Sequence, residues 1–224
     1  MDKVIIKVCG LRDGENIRQV AELGIDWIGM IFWSKSPRNV TMIPTHAGII
    51  PDRGSLSPLT SHLSPLRVGV FVDEMAQNII TRVVNFQLDL VQLHGHETPT
   101  LIRNLRRTLA DIRPVKFIKA ISVASPDDIE AYKEYIDCVD YFLFDTKCPT
   151  VGGSGQQFDW SVLAGYDGEL PFLLSGGIGP DDAERVKAFH HPKCIGIDLN
   201  SKFEVEPGLK DVEKLKSFIE KVKR

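Results

Sequence analysis

Several things are scarce in this 224-residue chain, and each scarcity removes a class of function. There are four cysteines, Cys9, Cys138, Cys148 and Cys194, and no two of them form a C-x-x-C pair. Structural zinc sites and thioredoxin-like redox motifs therefore have no foothold, and a disulfide framework is not expected. No apolar run approaches the ~18 residues that span a bilayer. The opening MDKVIIKVCG places Asp2 and Lys7 where a signal peptide needs uninterrupted apolar residues, so the reading is a cytoplasmic protein without a membrane association. No run of lysine and arginine is present, and the net charge is −3, which disfavours a nucleic-acid partner while leaving room for a local anion site. No G-x-G-x-x-G follows the first apolar run, which weighs against a dinucleotide cofactor.

What is present is alternation. Val4–Val8, Asp26–Phe32, Arg67–Val72, Leu88–Leu93, Val115–Ala120, Tyr141–Phe144, Phe172–Leu174 and Cys194–Leu199 read as eight short strands. They are apolar throughout, as strands covered on both faces are. Between them lie helical patterns: Glu15–Leu23 closed by Gly24, Met75–Phe86 with Ile79, Ile80, Val83 and Val84 inward, and Pro99–Leu109. A helix capped by Ser125 with Pro126 at its first position carries Ile129, Tyr132, Ile136 and Val139 inward. A short helix follows Asp159, then Pro180–Phe189, and a last helix striped by Val212, Leu215, Phe218, Ile219 and Val222. Trp33–Pro65 is proline-rich and reads mostly as loop, with at most a short or irregular second helix near Thr45–Ile50. Eight strand–helix units in this length favour one (β/α)8 barrel domain over residues 1–224.

In such a barrel the chemistry gathers at the C-terminal strand ends. The sixth strand ends on Asp145, and a glycine-rich loop follows with Gly153 and Gly155 around Ser154. Gly176 and Gly177 follow the seventh strand, and Asn200 and Ser201 the eighth. Backbone N–H groups in these three clusters suit a phosphorylated small molecule, as against ordinary turn glycines. Cys9 ends the first strand. It reads either as a general base, if cationic neighbours lower its pKa, or as a small buried hydrophobe; Cys148 is a rival thiol in the loop. Asp145 reads as a general acid or as a carboxylate capping its own loop. Arg38 is placed to clamp a carboxylate bidentately, or is a surface arginine. His94 hydrogen-bonds substrate or lines the barrel, and Asp198 orients a sugar hydroxyl or satisfies a nearby loop. No metal ligand set and no cofactor are expected. Monomer and homodimer fit the sequence equally.

Taken together, KVCGLR (7–12), FWSKSPRNV (32–40), VGVFVDE (68–74), VQLHG (91–95), FLFDT (142–146), GGSGQQFDW (152–160), LSGGI (174–178) and IDLNSKFEVEPGLKD (197–211) resemble the phosphoribosylanthranilate isomerases of tryptophan biosynthesis, in that family's order and over nearly the whole chain. The resemblance implies a cofactor-free Amadori rearrangement. Asp145 would act as the acid that opens the furanose ring and Cys9 as the base at C2. Arg38 would hold the anthranilate carboxylate, and backbone groups of the last loops the phosphate. The family's usual Ser-Ser-Gly after the last strand is Asn200-Ser201-Lys202 here. A sister isomerase of histidine biosynthesis would carry an aspartate in place of Cys9, and a non-catalytic sugar-phosphate-binding barrel would be expected to lose Cys9 or Asp145.

Overall fold

In a computed structural model of the chain, which describes residues 4–41, 65–146 and 159–223, the apolar runs become eight parallel strands. They are β1 (Ile5–Cys9), β2 (Trp27–Ile31), β3 (Leu66–Phe71), β4 (Leu90–Leu93), β5 (Lys116–Val123), β6 (Tyr141–Thr146), β7 (Phe172–Leu174) and β8 (Cys194–Leu199). They pair in sequence order and close, β8 against β1, into a barrel. Both strand faces are buried. Cys9, Trp27, Val68, Val70, Leu90, Ile118, Ala120, Leu143 and Leu173 fill the inside, and a second, larger layer packs between the strands and the helices. The expected β/α barrel is therefore the observed one. A second helix near Thr45–Ile50 lies outside the described residues. Among those residues no helix is long and apolar enough to cross a membrane, and no cluster of His, Cys, Asp and Glu is arranged to hold a metal ion.

The helices are α1 (Gly14–Ala21), α2 (Ala76–Asn85), α3 (Pro99–Ala110), α4 (Pro126–Ile129), α5 (Ala183–Ala188) and α6 (Val212–Lys223). Asp13 caps α1 and Thr98 caps α3, each side chain accepting from a backbone N–H in the first turn. Three expectations need correction. The helix after Ser125 has a capping box between Ser125 and Asp128 but tightens into a 3-10 turn at Glu130–Glu134, which leaves Ile136 half exposed rather than inward. Val84 is likewise 45% exposed, because α2 turns only its Ile79 and Val83 stripe fully to the barrel. The helix expected from Pro180 begins at Ala183: Asp182 bends back to accept from the Gly179 N–H at 2.7 Å, closing a turn first.

One element was not anticipated. After β8 and a 3-10 turn at Ser201–Phe203, the chain forms an antiparallel hairpin, β9 (Glu204–Glu206) and β10 (Leu209–Lys210), with Glu204 opposite Lys210. Pro207-Gly208 makes its turn, and Gly208 has φ +90°, a conformation that favours glycine. The register between β1 and β8 also matters for the site. A shift in the β7–β8 pairing at Phe172/Leu173 sets the phase of β8, and Lys7 of β1 then lies directly across from Asp198.

Candidate active site

Cys9 is the last residue of β1, 4% exposed, with its thiol inside the barrel. What makes the space is Gly29 on β2, paired in register with Cys9; a methyl group there would lie 2.8 Å from Sγ. Two residues earlier on the same strand face is Lys7, wholly buried, whose Nζ donates to Asp198 Oδ1 at 2.7 Å. Asp198 is 7% exposed and its Oδ2 accepts from Ser175 Oγ at 3.4 Å. Burial alone would lower the Lys7 pKa, but the Asp198 carboxylate, with a lesser contribution from Cys9 when that thiol is ionised, outweighs it and holds the ammonium above its ordinary value. Burial pushes the Cys9 thiol up, and Asp198 adds to this; Lys7 and Lys210 pull the other way without winning. Burial thus favours the protonated thiol, while the charges of Lys7 and Lys210 favour the thiolate.

At the end of that same strand, Gly10 follows Cys9 with φ +78°. The bend and the missing Cβ let Arg38 Cδ and Asn200 Oδ1 come within 2.7 and 2.6 Å of where a Cβ would stand. Arg38 is thus laid across the end of β1 rather than out on the surface, 11% exposed. Its Nε donates to Glu204 Oε1 at 2.8 Å and Oε2 at 3.1 Å, and its Nη2 to Oε2 at 2.6 Å. Lys210 Nζ, wholly buried, donates to the same Glu204 Oε1 at 2.8 Å and to Asn200 Oδ1 at 2.8 Å. Burial would raise Glu204, but the Arg38 hydrogen bond and the Lys210 charge take its carboxyl below the usual range. Lys210 is lowered by its own burial, which Glu204 only partly offsets.

Across the mouth, separated from β1 by β7 and β8, stands Asp145 at the end of β6. Its Oδ1 accepts from the Thr146 N–H at 2.9 Å, and His94 Nε2 lies 3.3 Å from Oδ2. Gln92, one strand turn before His94 on β4, reaches Nδ1 of the ring with its amide nitrogen at 3.3 Å. Gln92 and Asp145 thus contact the two ring nitrogens of His94. His94 is therefore fixed against the carboxylate. Its loop is held by a buried pair behind it: Lys119 donates to Gly95 O at 2.6 Å and to Glu97 Oε2 at 3.0 Å, and Glu97 accepts from the Gly95 and Asp73 N–H groups.

Of the anion-site residues, Gly176 and Gly177 have φ +92° and +66°. A Cβ on Gly176 would meet Thr146 Oγ1 at 2.2 Å, so this glycine lets the β7 loop press on the end of β6, beside Asp145. They do not sit at the start of α5, which begins six residues after Gly177. Asn200 precedes a 3-10 turn that starts at Ser201, but its side chain is engaged by Lys210. Gly153, Gly155 and Cys148 lie outside the described residues. Cys9, Lys7 and Asp198 form one cluster, Arg38, Asn200, Glu204 and Lys210 a neighbouring one that meets it at Gly10, and Asp145, His94 and Gln92 a third across the rim. Four members, Lys7, Glu204, Lys210 and Gln92, escaped the sequence reading, as did Gly29 beside Cys9. The one signal for Lys7 was a charge at i−2 from Cys9 inside an apolar strand.

Comparison with known proteins gives matches over nearly the whole chain. The family model described as N-(5'phosphoribosyl)anthranilate (PRA) isomerase matches residues 6–221. An N-(5'-phosphoribosyl)anthranilate isomerase from Parabacteroides distasonis is 48% identical over 219 residues, 98% of this chain and 93% of that one. The crystal structure of phosphoribosyl anthranilate isomerase from Thermotoga maritima superimposes with a TM-score of 0.76 at 31% identity, covering 98% of each chain. A phosphoribosyl anthranilate isomerase crystallised with reduced 1-(o-carboxyphenylamino)-1-deoxyribulose 5-phosphate does so with a TM-score of 0.74 at 28% identity, again over 98% of each chain.

Proposed function

Because the chain belongs to the N-(5'-phosphoribosyl)anthranilate isomerase family, we propose that it converts N-(5-phosphoribosyl)anthranilate to 1-(2-carboxyphenylamino)-1-deoxyribulose 5-phosphate in tryptophan biosynthesis, by general acid–base catalysis. The observation that carries the mechanism is the pairing of one thiol and one carboxyl, Cys9 and Asp145, at the C-terminal rim of a closed barrel, each in contact with groups that handle charge.

In this reading Asp145 gives a proton to the furanose oxygen. The C1–O bond breaks and its electrons stay on oxygen, while the anilino nitrogen's lone pair closes a C=N bond and leaves a protonated Schiff base. Cys9, as thiolate, takes the C2 proton. The freed pair forms C1=C2 and the iminium electrons return to nitrogen. The enolamine then loses its O2 proton and gains one at C1, giving the ketone. Atoms and electrons balance within one molecule, so no external oxidant is required. Arg38 faces the anthranilate carboxylate, and the backbone around Gly176, Gly177, Asn200 and Ser201, with Gly153 and Gly155, takes the phosphate. Asp198 and His94 contact the ribose chain.

The test is a fluorescence assay with phosphoribosylanthranilate generated in situ, following loss of its anthranilate emission. Enzyme-dependent decay is expected, falling by about 10²–10⁴-fold in Cys9→Ala and in Asp145→Asn while both variants stay folded. Full turnover retained in both would sink the assignment of roles.

A further inference from the structure

We propose that Glu204 is the positioning residue for Arg38, holding the guanidinium so that a ligand carboxylate is met by its remaining edge, with Lys210 supplying the charge that keeps the arginine attractive. The proposal rests on the isomerase reading and extends it to residues of the β9–β10 hairpin.

A carboxylate that takes both Nε and Nη2 of an arginine leaves Nη1, and among the described residues Nη1 has no hydrogen-bond partner. Glu204 is fixed: its side chain is 5% exposed, and Oε1 also accepts from the Gly208 N–H at 3.1 Å and from Lys210 Nζ at 2.8 Å. It is therefore anchored from two sides of its own hairpin and cannot simply swing away when a ligand arrives. An arginine paired with one carboxylate alone would be electrically spent, and a second carboxylate would feel the repulsion of the first. Here the carboxylate is shared between two cations. Arg38, Lys210 and Glu204 together keep one positive charge in a site largely shut from water, where it acts at full strength. Gly10 completes the device, since any Cβ there would displace the Arg38 stem. A long flexible side chain is thereby held in one pose before the ligand comes, which removes an ordering cost from binding.

Two probes separate this role from mere support of the fold: reduced 1-(2-carboxyphenylamino)-1-deoxyribulose 5-phosphate, and the same compound with a plain phenyl ring. Binding of each is measured by calorimetry to wild type and to Glu204→Gln, beside KM and kcat. Losing a well-aimed charge-assisted contact should weaken the carboxylate ligand about 10–100-fold. The phenyl ligand should move little, and KM should rise more than kcat falls. Equal losses for both probes would make Glu204 structural only and overturn the proposal. Tighter binding of the carboxylate probe would also overturn it, by making Glu204 a competitor for Arg38. Should Glu204→Gln not fold, Glu204→Asp, which keeps the charge but withdraws it by one methylene, is expected to show the same carboxylate-selective loss, and an equal loss for both probes refutes the idea there too. Wild-type turnover measured first keeps the two readings apart, since its absence speaks against the isomerase activity and not against the aiming of Arg38.

Discussion

Replacing Lys7 with methionine tests the charge network beneath Cys9 through stability alone, without assuming any chemistry. Lys7 and Asp198 are 0% and 7% exposed, paired at 2.7 Å across the β1–β8 seam that closes the barrel. Methionine matches the lysine stem in length and flexibility, so little packing is lost. What is lost is the counter-charge: among the described residues Asp198 then keeps only the Ser175 hydroxyl at 3.4 Å. Breaking a buried pair from one side costs about 3–5 kcal/mol, because the remaining charge is stranded away from water. For a chain of this size that is roughly 6–20 °C in Tm, at about 2–4 °C per kcal/mol. The double variant Lys7→Met/Asp198→Asn removes both charges, and its loss should be about 2 kcal/mol or more short of the sum of the two single losses. Urea unfolding at pH 7 followed by tryptophan fluorescence gives the four corners of the cycle. A Lys7→Met cost under about 1 kcal/mol, or additivity within about 0.5 kcal/mol, would refute the claim that this pair is a coupled, desolvated unit.

Gly29→Ala puts a methyl 2.8 Å from the Cys9 thiol, so we expect about 1–3 kcal/mol of overpacking and, through displacement of the sulfur, a fall of roughly 10²-fold in kcat; near-normal kcat would mean that the thiol's placement is not critical. The Cys9 thiol is held above its ordinary 9.0 chiefly by burial, so the base is mostly protonated near neutrality, and log kcat/KM should climb with pH with no plateau before pH 9; a plateau below pH 8 contradicts this. Cys194, 8% exposed, has its thiol lifted by burial from 9.0 to about 11. The raised folded value means its stabilising contribution is whole below pH 9 and drains away as pH rises toward 11, by about 2–3 kcal/mol. Cys194→Ala should therefore lose less stability than wild type between those pH values, and parallel stability–pH curves for the two proteins would show that the thiol does not contribute.

The parts of the fold that could be read from the sequence are those where a residue's neighbours in the chain decide its fate. Tyr141–Phe144 is uniformly apolar and stops at a carboxylate, so both the strand and the rim position of Asp145 follow from the run itself. Cys9 before Gly10 is the same case. Lys7 is the opposite. A charge inside an apolar run reads locally as an interruption, and its burial is explained only by Asp198, a partner 191 residues away that the β7–β8 register shift brings opposite it. Glu204 and Lys210 were hidden for a related reason: the Pro207-Gly208 turn signals a hairpin, but nothing local says that two surface-type residues will close over Arg38. Arg38 itself was read as a carboxylate clamp, and the bidentate geometry does occur, though with a carboxylate of the protein on one edge. Ile136 failed because periodicity assumes the helix continues, and after one turn it does not.

The charges around Cys9 bear on how a buried, protonated thiol serves as a base at all. Lys7, Arg38 and Lys210 face Asp198 and Glu204, which leaves one unmatched positive charge at the mouth. That charge has two claimants in the proposed reaction: the Cys9 thiolate and the ligand carboxylate at Arg38. A bound substrate therefore does nothing by itself to ionise the thiol. Ring opening changes the balance, because protonation by Asp145 converts a neutral aminosugar into an iminium, adding one positive charge next to C2. The thiolate becomes favourable at the step that needs it, and not before. On this account Lys210→Met, which deletes the unmatched charge, should weaken binding of the ligand carboxylate and, in the bound complex, slow C2 proton removal more than ring opening, so that substrate deuterated at C2 shows a larger isotope effect on kcat than it does with wild type. An isotope effect unchanged while kcat falls would place the damage in ring opening or release instead, and would detach Lys210 from the base.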